Sequence, residues 1–122
     1  MEKVEYVLYG SFDDIVKHVT KGVLAARRAA RLEGSSDFEI GRVRGALLVF
    51  EHYGWSTQTT LSVAMVGNDE SVLLTAVPTG QSGARAKNKF LKTLGPIVED
   101  WHDHPSNPSE PFPPGPMWGT PE

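Results

Sequence analysis

The sequence predicts an α+β domain in which an antiparallel sheet has its helices on one face. Three observations predict this class: an alternating strand followed by an amphipathic helix, three consecutive strands in the middle of the chain, and a second amphipathic stripe after them. Period-two alternation indicates strands, and apolar residues spaced by three and four indicate helices. The predicted order is β-α-β-β-β-β-α within one domain, residues 1–101.

The first strand and helix are predicted from the N-terminal residues. Val4, Tyr6 and Leu8 alternate with the residues between them, as a strand over 3–9 would. Gly10 ends that strand, and Ser11 takes the position of a helix N-cap. Apolar residues at 12, 15, 16, 19 and 23 then share one helical face. We therefore predict the first helix over residues 12–24.

Residues 25–33 fit two structures. Alanine and arginine favour a helix that continues to Gly34. Residues 26, 30 and 33 extend the apolar stripe poorly, which favours a strand. We predict a turn near Ala25, a short strand over 27–33 and a loop over 34–37.

Three further strands are predicted over 42–53, 55–66 and 71–78. The middle one has an apolar face and a small, polar face, whereas its neighbours at 46–50 and 72–74 are apolar on both faces. If the helices cover the inner face, the outer face is a shallow polar trough between apolar ridges. Exposed apolar surface of that kind usually meets something, here a second copy, the chain's own tail or a ligand. The predicted residues of this sheet face are Leu48, Phe50, Ser56, Gln58, Thr60 and Ser62.

The last helix is predicted over 88–101, with apolar residues at 90, 91, 94, 97, 98 and 101. Pro96 removes a backbone donor inside it, so we predict a kink or a break after Leu94. Residues 102–122 contain seven of the nine prolines, which predicts an extended, proline-rich tail. Its larger apolar residues, Phe112, Met117 and Trp118, are candidate anchors.

The predicted order of elements resembles the half-repeat of the TATA-binding-protein fold. The sequence also resembles a family of small uncharacterised bacterial proteins, known mainly from Firmicutes and their relatives. The similar segments are GSFD at 10–13, KGVL at 21–24, VFEHY at 49–53, TGQSG at 79–83 and FLKTLGPIVEDW at 90–101. The resemblance spans residues 4–101 and does not include the tail or Pro96. It implies an extended segment at 27–33, and it implies no activity.

Composition excludes several classes of site. The chain has no cysteine, so disulfides, thiolate metal sites and cysteine nucleophiles are excluded. We expect a cytoplasmic protein without a membrane segment, because no apolar run approaches the length of a span. His102-Asp103-His104 lacks a third ligand, so we expect no metal and no cofactor. No acid, base and nucleophile converge, so an enzyme is the least favoured class of function.

Charge indicates a candidate anion site. Residues 17–44 and 81–98 each have a net charge of +4 in a chain of net charge −3. A glycine-rich loop before a helix presents backbone N–H groups to anions, and arginine suits phosphate or carboxylate. A flexible connector and a solvated basic surface remain open alternatives. The candidate ligand-binding residues are Arg27, Arg28, Arg31, Arg42, Arg44, Gly80, Gln81, Ser82, Gly83, Arg85 and Lys87.

Two functional hypotheses follow from these patterns. The first is a non-enzymatic binding module for a small anionic, nucleotide-like ligand. The second is a structural or interaction protein whose outer sheet face contacts a second copy or another protein. The acidic net charge argues against strong binding of nucleic acid.

Overall fold

A computed structural model describes residues 3–54, 57–81 and 83–102. All strand pairs in these residues are antiparallel, and the strand order in the sheet is β1-β5-β4-β3-β2. This arrangement confirms the predicted α+β fold and the order of its elements. The elements are β1 (Val4–Tyr9), α1 (Phe12–Ala26), β2 (Ala30–Ile40), β3 (Val43–Gly54), β4 (Thr57–Gly67), β5 (Ser71–Gly80), α2 (Ala84–Leu91) and α3 (Leu94–His102).

The core lies between the helices and one face of the sheet, which we call the inner face. Alternate residues of β4 and β5, such as Leu61, Val63 and Leu74, are completely buried there. Ile15 and Val19 of α1 are buried against them in the same core cluster. Complete burial of one such side chain contributes about 1.5–3 kcal/mol, so this layer provides most of the stability of the domain.

The structure corrects the predictions for residues 25–40. Helix α1 ends at Ala26, and a turn follows in which the Ala30 N–H donates to the Arg27 carbonyl at 3.0 Å. The strand therefore begins at Ala30, and the predicted loop over 34–37 is wrong because β2 continues to Ile40. A bulge between Leu32 and Gly34 shifts the register, and pairing with β3 resumes beyond it. The long ladder with β3 outweighs the turn preference of a Gly-Ser-Ser-Asp segment.

The start of α1 is held by the turn between β4 and β5. Ser11 is the N-cap, but its side chain makes no capping hydrogen bond. Instead, the Phe12 N–H donates to Asp69 Oδ1 at 3.2 Å. The Asn68 side chain accepts from two backbone N–H groups of the same turn, at 2.8 and 3.0 Å. A distant turn thus caps the helix, which fixes α1 against this end of the sheet.

The second predicted helix is two helices separated at Lys92 and Thr93. The break precedes Leu94, whereas we predicted it after that residue. Pro96 explains the position, because it lies in the first turn of α3, where its missing N–H has no intrahelical partner to lose. Trp101 then donates from Nε1 to the Tyr9 carbonyl at 2.9 Å, which ties α3 to β1.

Candidate binding surfaces

The candidate ligand-binding residues lie at two opposite ends of the sheet. Arg31 is paired with Glu51 near one end of β3, and Arg44 lies seven residues earlier on that strand. At about 3.3 Å per residue, these positions are about 23 Å apart. Strands β2 and β3 do pair, but their hairpin separates the arginines, so the predicted set does not form one site. Arg27, Arg28, Arg31, Gly80, Gln81, Gly83, Arg85 and Lys87 lie toward the end next to α2, and Arg42 and Arg44 lie at the other. Ser82 lies outside the described residues.

Arg44 is already neutralised by carboxylates. Its Nη2 lies 2.7 Å from Asp13 Oδ1, and its Nη1 lies 4.0 Å from Asp69 Oδ1. The hydrogen bond from Arg44 lowers the pKa of the Asp13 carboxyl below its ordinary value. The guanidinium also lies 4.8 Å from the centre of the Phe12 ring. Arg42 and Arg44 both line a shallow depression that also contains Glu39 and Glu70. Among the described residues, two arginines thus face four carboxylates at this end of the sheet, so it has an excess of negative charge and does not favour an anion.

The loop at the opposite end begins at a constrained glycine. Gly80 has φ +117°, and a Cβ there would lie 2.5 Å from the Gln58 carbonyl oxygen. Only glycine therefore allows β5 to leave the sheet so close to β4. Gly83 is the N-cap of α2 and provides no side-chain capping bond. The loop leads directly into a helix with four basic residues on or just after it, Arg85, Lys87, Lys89 and Lys92.

Arg27, His52, Lys89 and Phe90 form a cluster that we call the basic cluster. The Arg27 Cζ and the His52 ring each lie 5.7 Å from the centre of the Phe90 ring. The Arg27 Nε is buried and has no hydrogen-bond partner among the described residues. Burial lowers the pKa of His52 below 6.5, and the charges of Arg27 and Lys89 lower it further. The charges of Arg27 and Lys89 therefore both act on an imidazole that lies beside the Phe90 ring.

The face of the sheet opposite the core, the outer face, is covered by none of the described helices. Eleven large hydrophobic residues among the described ones are exposed, and nine of them lie on this face. The nine are Val7, Tyr9, Phe38, Ile40, Val43, Leu47, Tyr53, Val66 and Leu73. The remaining two, Leu24 and Leu32, belong to α1 and to the inner side of β2.

The strand registers align some of these residues in one row across the whole sheet. Val7 is paired with Leu73, Leu73 with Val66, and Val66 with Gly45. Gly45 is paired with Phe38, whose ring lies over the glycine and fills the gap in the row. We call Val7, Leu73, Val66 and Phe38 the apolar row. Four side chains from four strands thus form an exposed apolar band over five strands.

The structure also shows which residues line the outer face of β3 and β4. Gln58, Thr60 and Ser62 lie there, half-buried, and Ser56 lies outside the described residues. The placement of Leu48 and Phe50 on this face is wrong, because they are 4% and 0% exposed in the core. Leu48 is paired with Val63 and Phe50 with Leu61, both inner-face residues.

Sequence reasoning missed most of the apolar row and all of the basic cluster except Arg27. Alternation could have placed Val7 and Leu73 on the outer face, because both alternate with core residues in clear strands. Phe38 lies in the segment after the falsely predicted loop, so its face was not assigned. The basic cluster joins α1, β3 and α2, and only the tertiary structure brings those elements together.

The chain belongs to a family of unknown function, DUF6054, whose family model matches residues 1–102. The match confirms the resemblance to an uncharacterised family and leaves the proline-rich tail unmatched. No curated protein matches the chain.

None of the three helices in the described part of the chain is both long and apolar enough to cross a bilayer. The described residues contain no group of three or more His, Asp or Glu side chains placed to hold a metal ion.

Proposed function

We propose that this protein is a non-enzymatic assembly module that binds a second copy of itself through the outer face of its sheet. The apolar row is the observation that supports the proposal most strongly. A monomer rarely exposes a contiguous apolar band of this kind without using it for contact. Leu73, near the middle of the row, is 45% exposed, although its strand β5 is paired with β1 on one side and β4 on the other.

The size of the outer face fits a dimer interface. Five strands about 4.8 Å apart and about ten residues long make a face of about 24 by 33 Å. The resulting area of about 800 Å² is close to what one partner buries in a stable protein complex. Two such flat, twisted sheets pack face to face in sandwich proteins. A second copy is therefore a partner of matching size and shape.

The charges on this face also favour a second copy over nucleic acid. Lys3 and Glu5 are 3.6 Å apart, and Arg31 is paired with Glu51 in the sheet. These charges balance one another, and all lie on the α2 side of the apolar row. A surface that binds a phosphate backbone needs an excess of positive charge, which this face does not have.

A charge placed in the apolar row tests the assembly proposal. We expect the wild-type chain to elute as a dimer in size-exclusion chromatography with light scattering, and Leu73→Glu to elute as a monomer. Leu24→Glu is the matched control, because Leu24 is also an exposed leucine but lies on α1, 38% exposed. Circular dichroism checks that both variants remain folded. A wild-type monomer at high concentration, or a dimer that persists in Leu73→Glu, would contradict the proposal.

A second function is supported by the basic cluster: binding of a small anionic ligand beside α2. The buried Arg27 Nε has no partner among the described residues, so it is a donor that an anion would satisfy. Lys89 also lines a depression of about 520 Å³ with Arg85, Asn88 and Lys92. No acidic residue lines this depression within the described part of the chain. Phosphate or carboxylate groups are the chemistry that such a site recognises.

Titration calorimetry with pyrophosphate and ATP at low ionic strength tests this second function. Arg27→Gln and Lys89→Gln should each weaken binding by about tenfold, which corresponds to the loss of one charge-assisted hydrogen bond. Arg42→Gln removes the same charge at the opposite end of the sheet and should leave binding unchanged. Absence of heat for either anion, or equal weakening in all three variants, would exclude a site at the basic cluster.

A further inference from the structure

A groove opens on the inner side of the sheet between α1 and the β2–β3 hairpin. Its volume is about 390 Å³. Leu48 and Ala46 of β3 lie at its floor, Val16 and Lys17 of α1 line one wall, and Leu32 and Asp37 of β2 line the other. This volume is within the range of small-molecule sites, near its lower limit. The groove lies on the opposite side of the sheet from the proposed dimer interface, so an inference about it goes beyond the assembly function.

The groove has an apolar floor, and the apolar residue of its β2 wall is incompletely covered. Leu32 is one of only two exposed large hydrophobic residues that lie off the outer face in the described part of the chain. It precedes the β2 bulge, after which the inner positions of β2 become polar, with Ser35 and Asp37. Because these short side chains do not reach α1, the core opens here instead of closing. An apolar floor under a polar rim is the usual construction of a ligand pocket.

The charges around the groove are of two kinds. Arg44 and Asp13 close one end and are bonded to each other at 2.7 Å. Lys17 and Asp37 line opposite walls, and neither forms an ion pair within the described residues. The charge of Lys17 helps to lower the pKa of Asp13, but the two side chains are not in contact as an ion pair. The groove therefore has one cation and one carboxylate outside any close ion pair, on opposite sides of an apolar floor.

We propose that this groove binds a small amphipathic zwitterion, with the size and chemistry of an apolar amino acid. The apolar body of the ligand lies on Leu32 and Leu48, its carboxylate faces Lys17, and its ammonium group faces Asp37. A singly charged molecule leaves one of the two protein charges unmatched, so it binds more weakly than the zwitterion.

Three probes with the same phenylethyl body test the proposal on the full chain. Phenylalanine has both charges, 3-phenylpropionate has only the carboxylate, and 2-phenylethylamine has only the ammonium group. In amide NMR titrations, phenylalanine should shift residues of α1, β2 and β3 that line the groove, with an affinity about tenfold above either singly charged probe. No groove shifts with any probe at millimolar concentration, or equal affinity for all three, would overturn the proposal.

Two charge-removing variants assign each half of the ligand. Lys17→Met should weaken the binding of phenylalanine and 3-phenylpropionate but leave the binding of 2-phenylethylamine unchanged. Asp37→Asn should weaken the binding of phenylalanine and 2-phenylethylamine but leave the binding of 3-phenylpropionate unchanged. Lys21→Met and Asp14→Asn are matched controls on exposed positions of α1 outside the groove lining. Both groove residues are exposed, so the variants keep the core intact. Weakening of all probes by either variant, or an effect of the controls, would contradict the assigned orientation.

Discussion

Two adjacent leucines of β5 show how differently the two faces of this sheet are used. Leu74 is completely buried under the helices, whereas Leu73 is 45% exposed on the outer face. Leu48 and Leu47 of β3 repeat the contrast. The residue type is the same in both cases, and only the face differs. Inner-face leucines therefore stabilise the monomer, and outer-face leucines retain apolar area that association can bury.

The two faces also differ in what their polar residues do. On the inner side, Arg44, Asp13 and Asp69 pair with each other and fix α1 to the turn between β4 and β5. On the outer side, the Tyr53 hydroxyl and the Gln58 amide both donate to Glu51. Both networks lie at the margins of the sheet and leave the centre of the outer face apolar or hydroxylated. The outer face thus has an apolar or hydroxylated centre and a polar network at one margin.

The largest expected difference between the faces is in stability. Leu74→Ala should lower the free energy of unfolding by about 2–5 kcal/mol, because it leaves a cavity in a closed core. Leu73→Ala should lower it by about 0.5 kcal/mol or less, because its side chain is half exposed. Urea denaturation of both variants, at a protein concentration low enough to favour monomers, measures the difference. Equal losses would show that the two faces are not energetically distinct.

A smaller effect is expected where α3 meets the edge of the sheet. Trp101→Phe keeps an aromatic ring in the core but removes the donor to the Tyr9 carbonyl. The loss should be about 1 kcal/mol in the free energy of unfolding, as for a typical hydrogen bond. Trp101 itself is buried on the inner side of the sheet, so dimerisation through the outer face should not change. A variant that unfolds entirely, or one that loses dimerisation alone, would contradict this assignment of Trp101 to the inner side.

The pH dependence of anion binding should reflect His52. Its pKa lies below 6.5 in the free protein, because burial and the charges of Arg27 and Lys89 disfavour the imidazolium. A bound anion favours the imidazolium and raises that pKa, so binding takes up a proton and tightens as the pH falls from the pKa of the complex toward that of the free protein. The gain is up to about tenfold for each unit by which the pKa rises. Calorimetry should show this slope for the wild type and a flatter one for His52→Gln. An affinity independent of pH in the wild type would contradict the site.

The smallest effect concerns the ion pair at the start of α1. The pKa of Asp13 is lowered by Arg44, so the stability it contributes is present above its ordinary pKa of 3.8 and is lost as the pH falls through the lowered value. Asp13→Asn should slightly lower stability at neutral pH and flatten the acid limb of the stability profile. Asp14→Asn, which has no ion pair among the described residues, serves as the control. Identical acid limbs for wild type and Asp13→Asn would exclude this contribution.

Clear alternation allowed much of the fold to be predicted from the sequence. Strands β1, β4 and β5 and the stripe of α1 have distinct inner and outer residues, and their elements were found close to the observed bounds. The sequence did not assign residues 46–50 to the two faces, because a run that is apolar at every position shows no alternation. Pairing with Leu61 and Val63 decides that Leu48 and Phe50 point inward.

The candidate sites depend more heavily on tertiary structure. The grouping of five arginines failed because a hairpin with its turn near Gly41 carries Arg31 and Arg44 to opposite ends. The apolar row depends on the registers of all four strand pairs. One of its members, Phe38, lies on β2 beyond the bulge, in the part of the strand that was not predicted. The groove exists only because the polar inner positions of β2 lie opposite α1. The local periodicity of the sequence does not show which distant residues the fold brings together.

Sedimentation equilibrium of the full wild-type chain measures whether the apolar row joins two copies. We predict a mass of two chains at high protein concentration that falls toward one chain on dilution, and no larger species. A mass of one chain at every concentration would contradict it. In that case, the outer face would not be a surface for self-association.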